Sequence, residues 1–340
     1  MTPVAVLGAG SWGTVLASVL ATPDREVRLW MRSPQAAERL RTERNNAKAA
    51  PGLSLPSTVR PTADLTEALA GAPIVLFVLP TVAMREVATS AVPVIAPDAI
   101  LISCAKGFEP NTRQRMTEVL ASSVPAQAGR VAALSGPNLA GEIANGRPAA
   151  AVVAAADTEV ARTLQEALSS PRLRLYTSHD IIGVEYGGAL KNCIAIAAGV
   201  ADGLHMGVNA RAALVTRGLA EIARLGVAAG AQALTFSGLA GLGDLVATCS
   251  SPLSRNYQVG IHLAAGRHWP EIGGLLGHVA EGVGTTVVAR ELAAQYGVRL
   301  PIIDHTYTVL FRGLPVQEAL EELMSGPPRD ELAELTQEAQ

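Results

Sequence analysis

The strongest structural signal in this 340-residue chain is the segment Val4-Ala5-Val6-Leu7-Gly8-Ala9-Gly10-Ser11-Trp12-Gly13. Its first four residues predict a buried β-strand, and the next six form the pattern G-x-G-x-x-G and open a segment of helical periodicity. In that setting Gly8 allows a tight turn, Gly10 lets a pyrophosphate approach the backbone, and Gly13 lets the helix pack closely on the strand. The N–H groups at the start of the helix then bind the phosphates of a dinucleotide. An ordinary glycine-rich turn is the alternative interpretation.

Apolar runs alternate with helical patterns through the first half of the chain. Strands are predicted at residues 3–7, 26–31, 74–79, 100–103, 131–135, 149–154 and 172–176, and helices at 12–21, 34–43, 84–89, 111–121 and 139–145. Unbroken apolar strands that alternate with helices indicate a parallel sheet covered on both faces.

The pattern changes after about residue 178. Strand signals stop, and helices are predicted at residues 179–202, 210–229, 254–265, 285–295, 304–311 and 315–324, with glycine-rich joints at 238–243 and 273–277. From Pro327 the chain is polar, which predicts a loose end or a short terminal helix. The fold class is therefore α/β, with a Rossmann-type parallel sheet in an N-terminal domain (residues 1–178) and an all-helical C-terminal domain (residues 179–340).

Composition excludes several classes of protein. The chain is 49% apolar with a net charge of -3, which argues against disorder and against nucleic acid as the main partner. No run of ~18 apolar residues predicts a membrane span, and a strand starting at Pro3 leaves no room for a signal peptide. Cys104, Cys193 and Cys249 are far apart and odd in number, and the six histidines show no metal-ligand spacing. We expect a cytoplasmic protein with free thiols and no metal site.

The end of the second predicted strand bears on the choice of dinucleotide. NAD-specific sites usually carry an acidic residue there, which binds the ribose 2′-hydroxyl. This chain has Arg32 at that position, and Glu26 lies at the wrong end of the strand. Arg32 could meet a 2′-phosphate, so NADP(H) is expected to be accepted; a solvated surface arginine is the alternative.

Lys191 is the most informative residue of the second half. The chain has only three lysines, Lys48, Lys106 and Lys191, in a sequence that otherwise uses arginine. Lys191 lies in a segment that is apolar almost all round and is therefore predicted to be buried. Burial lowers the pKa of a lysine and suits it to proton transfer. A lysine that extends to solvent at a domain boundary is the alternative.

Further polar clusters lie at predicted element ends. Arg255 and Asn256 open a predicted helix behind Ser254 and combine a bidentate cation, an amide donor and a helix N-terminus, which is typical of a phosphate site. A surface N-cap at Ser254 with a solvated arginine is the alternative. Asp244 follows two glycines and could instead cap a helix. Two more clusters follow predicted strands, at residues 103–107 and 135–140.

Together these motifs resemble the bacterial form of the NAD(P)-dependent glycerol-3-phosphate dehydrogenase family. The resemblance runs from about residue 3 to 325 and is most specific at 183–192, at 239–245 with 254–256, and at 106–107 and 135–137. It implies interconversion of dihydroxyacetone phosphate and sn-glycerol 3-phosphate with NADP(H) and/or NAD(H), mainly to supply phospholipid synthesis. By the same resemblance, Lys191 is the proton donor and acceptor.

The resemblance also implies two sets of binding residues. The substrate-binding set is Lys106, Gly136, Asn138, Lys191, Asn192, Asp244, Thr248, Ser254, Arg255 and Asn256. The cofactor-binding set is Gly8, Gly10, Ser11, Trp12, Gly13, Arg32, Lys106, Ala140, Arg255, Val279 and Glu281. The expected partners are a small phosphorylated substrate and a second copy of the chain in a homodimer.

The sequence departs from the family pattern in three places. Ala49-Ala50 stand where a bulky pair is common, Asn138 stands where a hydroxyl or another small residue is common, and Val208 replaces an aspartate. None of these removes a catalytic group. Two other functions stay open at this point: a related dehydrogenase for hydroxy acids or sugar acids, and a non-catalytic sensor that binds NADP(H).

Overall fold

The computed structural model describes residues 3–276 and 280–325. The chain divides into two compact units. Unit 1 comprises the chain up to Ala105 together with Gln114–Ile181, and unit 2 comprises Lys106–Arg113 together with the chain from Ile182. The segment Lys106–Arg113 thus leaves the sheet-containing unit and belongs to the helical one.

An eight-stranded sheet forms the centre of unit 1, in the order β3-β2-β1-β4-β5-β6-β7-β8. Strands β1 to β6 are parallel to one another, so their carboxyl ends meet at one edge. The strands are β1 Val4–Leu7, β2 Val27–Trp30, β3 Val59–Thr62, β4 Ile74–Phe77, β5 Ile100–Ser103, β6 Val131–Ser135, β7 Ala149–Ala155 and β8 Leu173–Ser178.

Helices cover both faces of this sheet, as predicted. Alternate residues of β1 enter different cores: Val6 packs in one cluster with Leu16 of the first helix, and Leu7 packs in the other with Met84. This period of two is what buries a strand on both faces. The helices are α1 Ser11–Leu20, α2 Pro34–Glu43, α3 Leu65–Leu69, α4 Met84–Ala91, α5 Met116–Ser123, α6 Ala140–Ala144 and α7 Thr158–Leu168.

The prediction of a wholly parallel sheet is wrong at one pair, because β7 runs antiparallel to β6. The connection between them contains only the five-residue α6, about 7.5 Å long at ~1.5 Å per residue. The chain therefore turns back beside β6 instead of crossing over the sheet before the next strand. Strand β8 then pairs parallel to β7 after the longer α7.

Four elements of unit 1 differ from the sequence prediction. β3, α3 and α7 were not predicted, and the helix predicted from residue 111 begins at Met116. The later start has a local cause: Arg113 has a φ of 60°, and the Glu118 carboxylate accepts a hydrogen bond from the Arg115 N–H at 2.9 Å. The backbone before Arg115 is therefore not helical.

Unit 2 is helical, and no strand lies in its described residues. Its helices are α8 Ile181–Gly203, α9 Gly207–Ala228, α10 Asp244–Cys249, α11 Arg255–Ala264, α12 Trp269–Leu276, α13 Glu281–Tyr296, α14 Pro301–Arg312 and α15 Val316–Met324. The glycine joint predicted at 273–277 is wrong at Gly273 and Gly274, which lie inside α12, and Gly277 lies outside the described residues. The three cysteines are free and buried, as expected.

Helix α8 is the central helix of unit 2. Among the described residues it is the one helix long and apolar enough to cross a membrane, but 83% of its most apolar window is buried inside the folded chain. Its apolar composition is therefore that of a core helix, and there is no clear membrane span. Leu190 and Ile194 on α8 pack in one cluster with Ile222 on α9 and Ile303 on α14.

Candidate functional site

The glycine turn lies at the carboxyl edge of the sheet in unit 1, between β1 and α1. Gly8 has a φ of +120°, and a Cβ there would lie 2.2 Å from the Val78 carbonyl oxygen. A Cβ on Gly13 would lie 1.8 Å from the Gly8 carbonyl oxygen. Gly10 is exposed, with nothing within 4 Å of its would-be Cβ. Two of the three glycines are thus required by the fold, and Gly10 leaves open space in front of the backbone.

The start of α1 is prepared for an anion. Its N-cap is Gly10, which provides no side-chain hydrogen bond, so the first N–H groups have no capping acceptor. Ser11 is exposed and Trp12 is half-buried beside this turn. Sequence analysis missed Asn46, whose Nδ2 donates to the Ala9 carbonyl oxygen at 3.0 Å and so holds the turn in place. A lone asparagine in a long loop gave no signal for that role.

Arg32 follows β2 at the same edge and is exposed. Its neighbour Ser33 caps α2 by accepting a hydrogen bond from the Ala36 N–H at 3.2 Å. The cap fixes the backbone next to Arg32 and leaves the guanidinium in solvent, one strand away from the glycine turn. This is the position from which a cation can meet the ribose end of a dinucleotide.

A third loop at this edge follows β6. Gly136 has a φ of +150°, and a Cβ there would lie 2.8 Å from the Cα of Ala151. The side-chain amide of Asn138 and the hydroxyl of Ser135 are buried and have no hydrogen-bond partner among the described residues. Buried polar atoms of this kind are rare, and they are usually satisfied by an ordered water or a ligand. Ala140 starts α6 immediately afterwards.

Lys191 lies in unit 2 in a buried cluster of charges. Its Nζ donates to Asp244 Oδ1 at 2.5 Å and to Thr248 Oγ1 at 2.5 Å. Lys106 Nζ contacts the other carboxylate oxygen, Asp244 Oδ2, at 2.6 Å. The side chains of Lys191 and Asp244 are only 6% and 2% exposed. Two ammonium groups thus share one carboxylate, and the third N–H of Lys191 has no acceptor among the described residues.

Glycines bring these elements close enough for the contact. A Cβ on Gly187 of α8 would lie 2.5 Å from the Ala240 carbonyl oxygen. Ala240 belongs to the π-helical turn Leu239–Gly243, which leads directly into α10 and its first residue, Asp244. Asp244 therefore lies in the first turn of α10 and pairs with Lys191. The N-cap of this helix is Gly243 and not Asp244.

Burial changes the pKa of Lys191. Desolvation is the main cause and lowers the pKa to about 8, against the opposing attraction of Asp244. The positive charge of Lys106 also contributes to this net lowering. Lys191 is therefore a cation near neutral pH that releases its proton at mildly basic pH, as a proton donor and acceptor requires.

An amide cluster adjoins the charges. Asn256 Nδ2 donates to Asn192 Oδ1 at 2.9 Å, and Asn192 Nδ2 donates to the Lys106 carbonyl oxygen at 3.3 Å. Ser254 caps α11 by accepting a hydrogen bond from the Tyr257 N–H at 3.3 Å. Arg255 is exposed in the first turn of the same helix.

One proposed cofactor contact lies at the start of α13. Glu281 is its first residue and is half-buried. Val279 lies outside the described residues. Gly282, which sequence analysis missed, donates its N–H to Asn256 Oδ1 at 3.0 Å. A glycine near a helix start, where alanine favours the helix more, was the available signal.

The arrangement suits a small anionic ligand next to a proton donor. In unit 2 the structure brings together Lys106, Lys191, Asn192, Asp244, Thr248 and Asn256, and in unit 1 it places the glycine turn, Arg32 and the Gly136 loop on one sheet edge. Among the described residues no three His, Cys, Asp or Glu side chains are grouped to hold a metal ion.

Comparison with known proteins agrees over both halves of the chain. Residues 3–161 match the family model for the N-terminus of NAD-dependent glycerol-3-phosphate dehydrogenase, and residues 180–321 match the model for its C-terminus. A Moorella thermoacetica protein named glycerol-3-phosphate dehydrogenase (NAD(P)+) is 48% identical over 97% of each chain. One from Geobacter sp. with the same name is 47% identical over 95% of this chain and 96% of its own. The crystal structure of glycerol-3-phosphate dehydrogenase from Coxiella burnetii is 38% identical, with a TM-score of 0.90 over 96% of this chain and 99% of that one.

Proposed function

The chain belongs to the NAD-dependent glycerol-3-phosphate dehydrogenase family, and we propose that it interconverts dihydroxyacetone phosphate and sn-glycerol 3-phosphate with Lys191 as proton donor and acceptor. The observation that carries this proposal is the buried contact of Lys191 with Asp244 and Thr248. Two of the three ammonium hydrogens are used in these contacts, so the third is left for a substrate oxygen.

The protein groups act on the substrate carbonyl as follows. In the reducing direction the carbonyl π bond opens, carbon 2 gains a hydride, and the oxygen takes a proton from the Lys191 ammonium. The nearby Lys106 cation and the fixed Lys191 N–H stabilise the negative charge that develops on that oxygen. In the oxidising direction neutral Lys191 removes the hydroxyl proton. Asp244 and Thr248 keep Nζ in place in both directions.

The substrate phosphate is assigned to the start of α11. Ser254, Arg255 and Asn256 offer a helix N-terminus, a cation with bidentate geometry and an amide donor. Gly136 and Asn138 are further substrate contacts in this proposal, supported by the unpartnered amide of Asn138. Asn192 joins the set through its hydrogen bond with Asn256.

Unit 1 fits a dinucleotide. The residues that would hold it are Gly8, Gly10, Ser11, Trp12, Gly13, Arg32 and Ala140, joined by Lys106, Arg255, Val279 and Glu281. The open space at Gly10 and the uncapped start of α1 support the pyrophosphate position. When bound, the reduced nicotinamide supplies the hydride. The exposed Arg32 supports acceptance of NADP(H) beside NAD(H).

We also infer the cellular setting. The substrate and product are small phosphorylated molecules, and the net charge of -3 does not favour nucleic acid. We propose a cytoplasmic homodimer that provides glycerol 3-phosphate for phospholipid synthesis. Gel filtration with light scattering tests the dimer, and glycerol 3-phosphate auxotrophy of a deletion strain tests the metabolic role.

The deciding experiment follows NADPH and NADH oxidation with dihydroxyacetone phosphate and, in parallel, with unphosphorylated dihydroxyacetone. We expect turnover of the phosphate ester with a kcat/KM at least ~100-fold above that of the free triose, because the phosphate site supplies binding energy. Turnover of hydroxy acids instead would favour the related dehydrogenases, and the absence of any turnover would favour a sensor.

Arg32→Asp should shift the NADPH/NADH ratio toward NADH, and an unchanged ratio would reject the role of Arg32.

A further inference from the structure

Four amide groups in unit 2, two from the backbone and two from asparagine side chains, form a hydrogen-bond chain with a fixed direction. The Gly282 N–H donates to Asn256 Oδ1 at 3.0 Å, Asn256 Nδ2 donates to Asn192 Oδ1 at 2.9 Å, and Asn192 Nδ2 donates to the Lys106 carbonyl oxygen at 3.3 Å. A backbone N–H can only donate, and a backbone carbonyl can only accept. Both ends of the hydrogen-bond chain are backbone groups, so neither asparagine amide can be flipped without losing its contacts.

The direction of these hydrogen bonds determines whether each asparagine has an N–H left to donate to a ligand. Asn256 has used its oxygen and one N–H, and its second N–H has no acceptor among the described residues. Asn192 also approaches the Gly188 carbonyl oxygen at 3.4 Å, so both of its N–H groups have acceptors. Asn256 therefore presents a donor, which suits an anion, and Asn192 has no donor left for the substrate.

Gly282 is the residue that makes this arrangement possible. A Cβ there would lie 2.6 Å from the Asn192 carbonyl oxygen and 2.8 Å from Asn256 Oδ1. The first of these atoms is backbone of the buried helix α8 and cannot move away cheaply. Gly284, two residues later in α13, has nothing within 4 Å of its would-be Cβ. The same helix thus offers one crowded glycine and one open glycine for comparison.

We propose that Gly282 is a positioning residue for the phosphate end of the substrate. Its N–H turns the Asn256 amide so that an N–H, and not the carbonyl oxygen, faces the phosphate, and Asn192 acts through Asn256 instead of touching the substrate. The inference rests on the proposed function for the identity of the anion. It adds a residue outside the expected binding sets and changes the role of Asn192 from contact to support.

The test compares Gly282→Ala with Gly284→Ala as its matched control. The first readout is the ratio of kcat/KM for dihydroxyacetone phosphate to that for dihydroxyacetone; Gly282→Ala should lower it about tenfold, equivalent to ~1.4 kcal/mol, and Gly284→Ala should leave it unchanged. The second readout is the rise in Tm caused by inorganic phosphate, which needs no turnover. It should shrink in Gly282→Ala alone. Equal phosphate responses in both variants would overturn the proposal.

A second set of variants applies if Gly282→Ala does not fold. Asn192→Ser, Asn256→Ser and the double variant form a mutant cycle. Support through Asn256 predicts that the double variant is no worse in kcat/KM than Asn256→Ser alone. Additive losses would show that Asn192 acts by its own contact and would reject the role given to it. If phosphate raises the Tm of the wild type but dihydroxyacetone phosphate is not turned over, the proposed function is rejected. The role of Gly282 in positioning Asn256 for an anion is not contradicted by that result.

Discussion

The glycine turn at residues 8–13 and the cluster of Lys191, Asp244 and Lys106 both prepare the protein for charged ligands, but they do so with different groups. The turn uses backbone N–H groups and the absence of side chains. The cluster uses three ionisable side chains, two of which are almost fully buried. Backbone dipoles keep their strength at any pH, whereas a buried ammonium loses its charge when its proton leaves.

This difference suits the turn to cofactor binding and the cluster to proton transfer. A backbone site binds an anion without a group that can give up a proton near neutrality, so the turn is suited to hold a cofactor and unsuited to acid–base work. The cluster carries a desolvation cost, which its ion pairs offset in part. That same cost brings the pKa of Lys191 down to about 8. Changes in the cluster should therefore affect kcat, and changes in the turn should affect cofactor affinity.

The largest effect is expected from Lys191→Ala. Loss of the proton donor should lower kcat by about three orders of magnitude or more, while the Kd for NADPH stays within a factor of about two. Lys191→Arg should be nearly as inactive, because a guanidinium does not release its proton. Steady-state kinetics and fluorescence titration of NADPH give the two quantities.

The exposed Lys48 provides the control for that experiment. Lys48→Ala removes the same charge from the chain and should leave both kcat and the NADPH affinity unchanged. Full activity in Lys191→Ala would contradict the proposed mechanism, and a parallel loss of NADPH affinity would mean that Lys191 itself also binds the cofactor.

The two regions also differ in how far the sequence predicts them. The turn is local, so six adjacent residues and the flanking strand were enough to place Gly8, Gly10 and Gly13. The contact of Lys191 with Asp244 spans 53 residues of chain, and only the resemblance to a family associated the two before the structure did. Both asparagines were singled out, but the direction of their hydrogen bonds depends on Gly282, 26 residues beyond Asn256.

The errors in the fold have similar causes. The antiparallel β7 depends on the short length of α6, and periodicity gives no information about strand direction. The edge strand β3 contains Arg60 and Pro61 and lacks the apolar run that identified the other strands. The buried Glu221 was also missed: its carboxylate accepts N–H groups of Ile302 and Ile303 at 2.6 and 3.2 Å, and these lie 81 and 82 residues away. Long-range partners of this kind leave no local pattern.

A smaller effect should come from the turn, where Gly13→Ala and Gly10→Ala separate its two tasks. A Cβ at residue 13 overlaps the Gly8 carbonyl oxygen and should lower the free energy of unfolding by about 1–3 kcal/mol. A Cβ at residue 10 meets nothing in the folded chain, so Tm without cofactor should stay near the wild-type value. Both variants should bind NADPH at least about tenfold more weakly, with kcat at saturation changed less than KM. If Gly10→Ala binds NADPH as the wild type does, the pyrophosphate lies elsewhere.

The smallest effect is the pH dependence that distinguishes a side-chain site from a backbone site. Reduction needs the Lys191 ammonium, so kcat for dihydroxyacetone phosphate should be constant below the pKa of about 8 and fall about tenfold for each pH unit above it. Oxidation of glycerol 3-phosphate needs the neutral amine, so its kcat should rise with pH through the same range. The Kd for NADPH, which depends on backbone N–H groups at the turn, should not follow either curve between pH 7 and about 9.

Rates measured with C4-deuterated NADPH identify the range in which hydride transfer limits kcat. Within that range, parallel pH profiles in the two directions would mean that Lys191 does not carry the proton, because one group cannot be required in the same protonation state as donor and as acceptor.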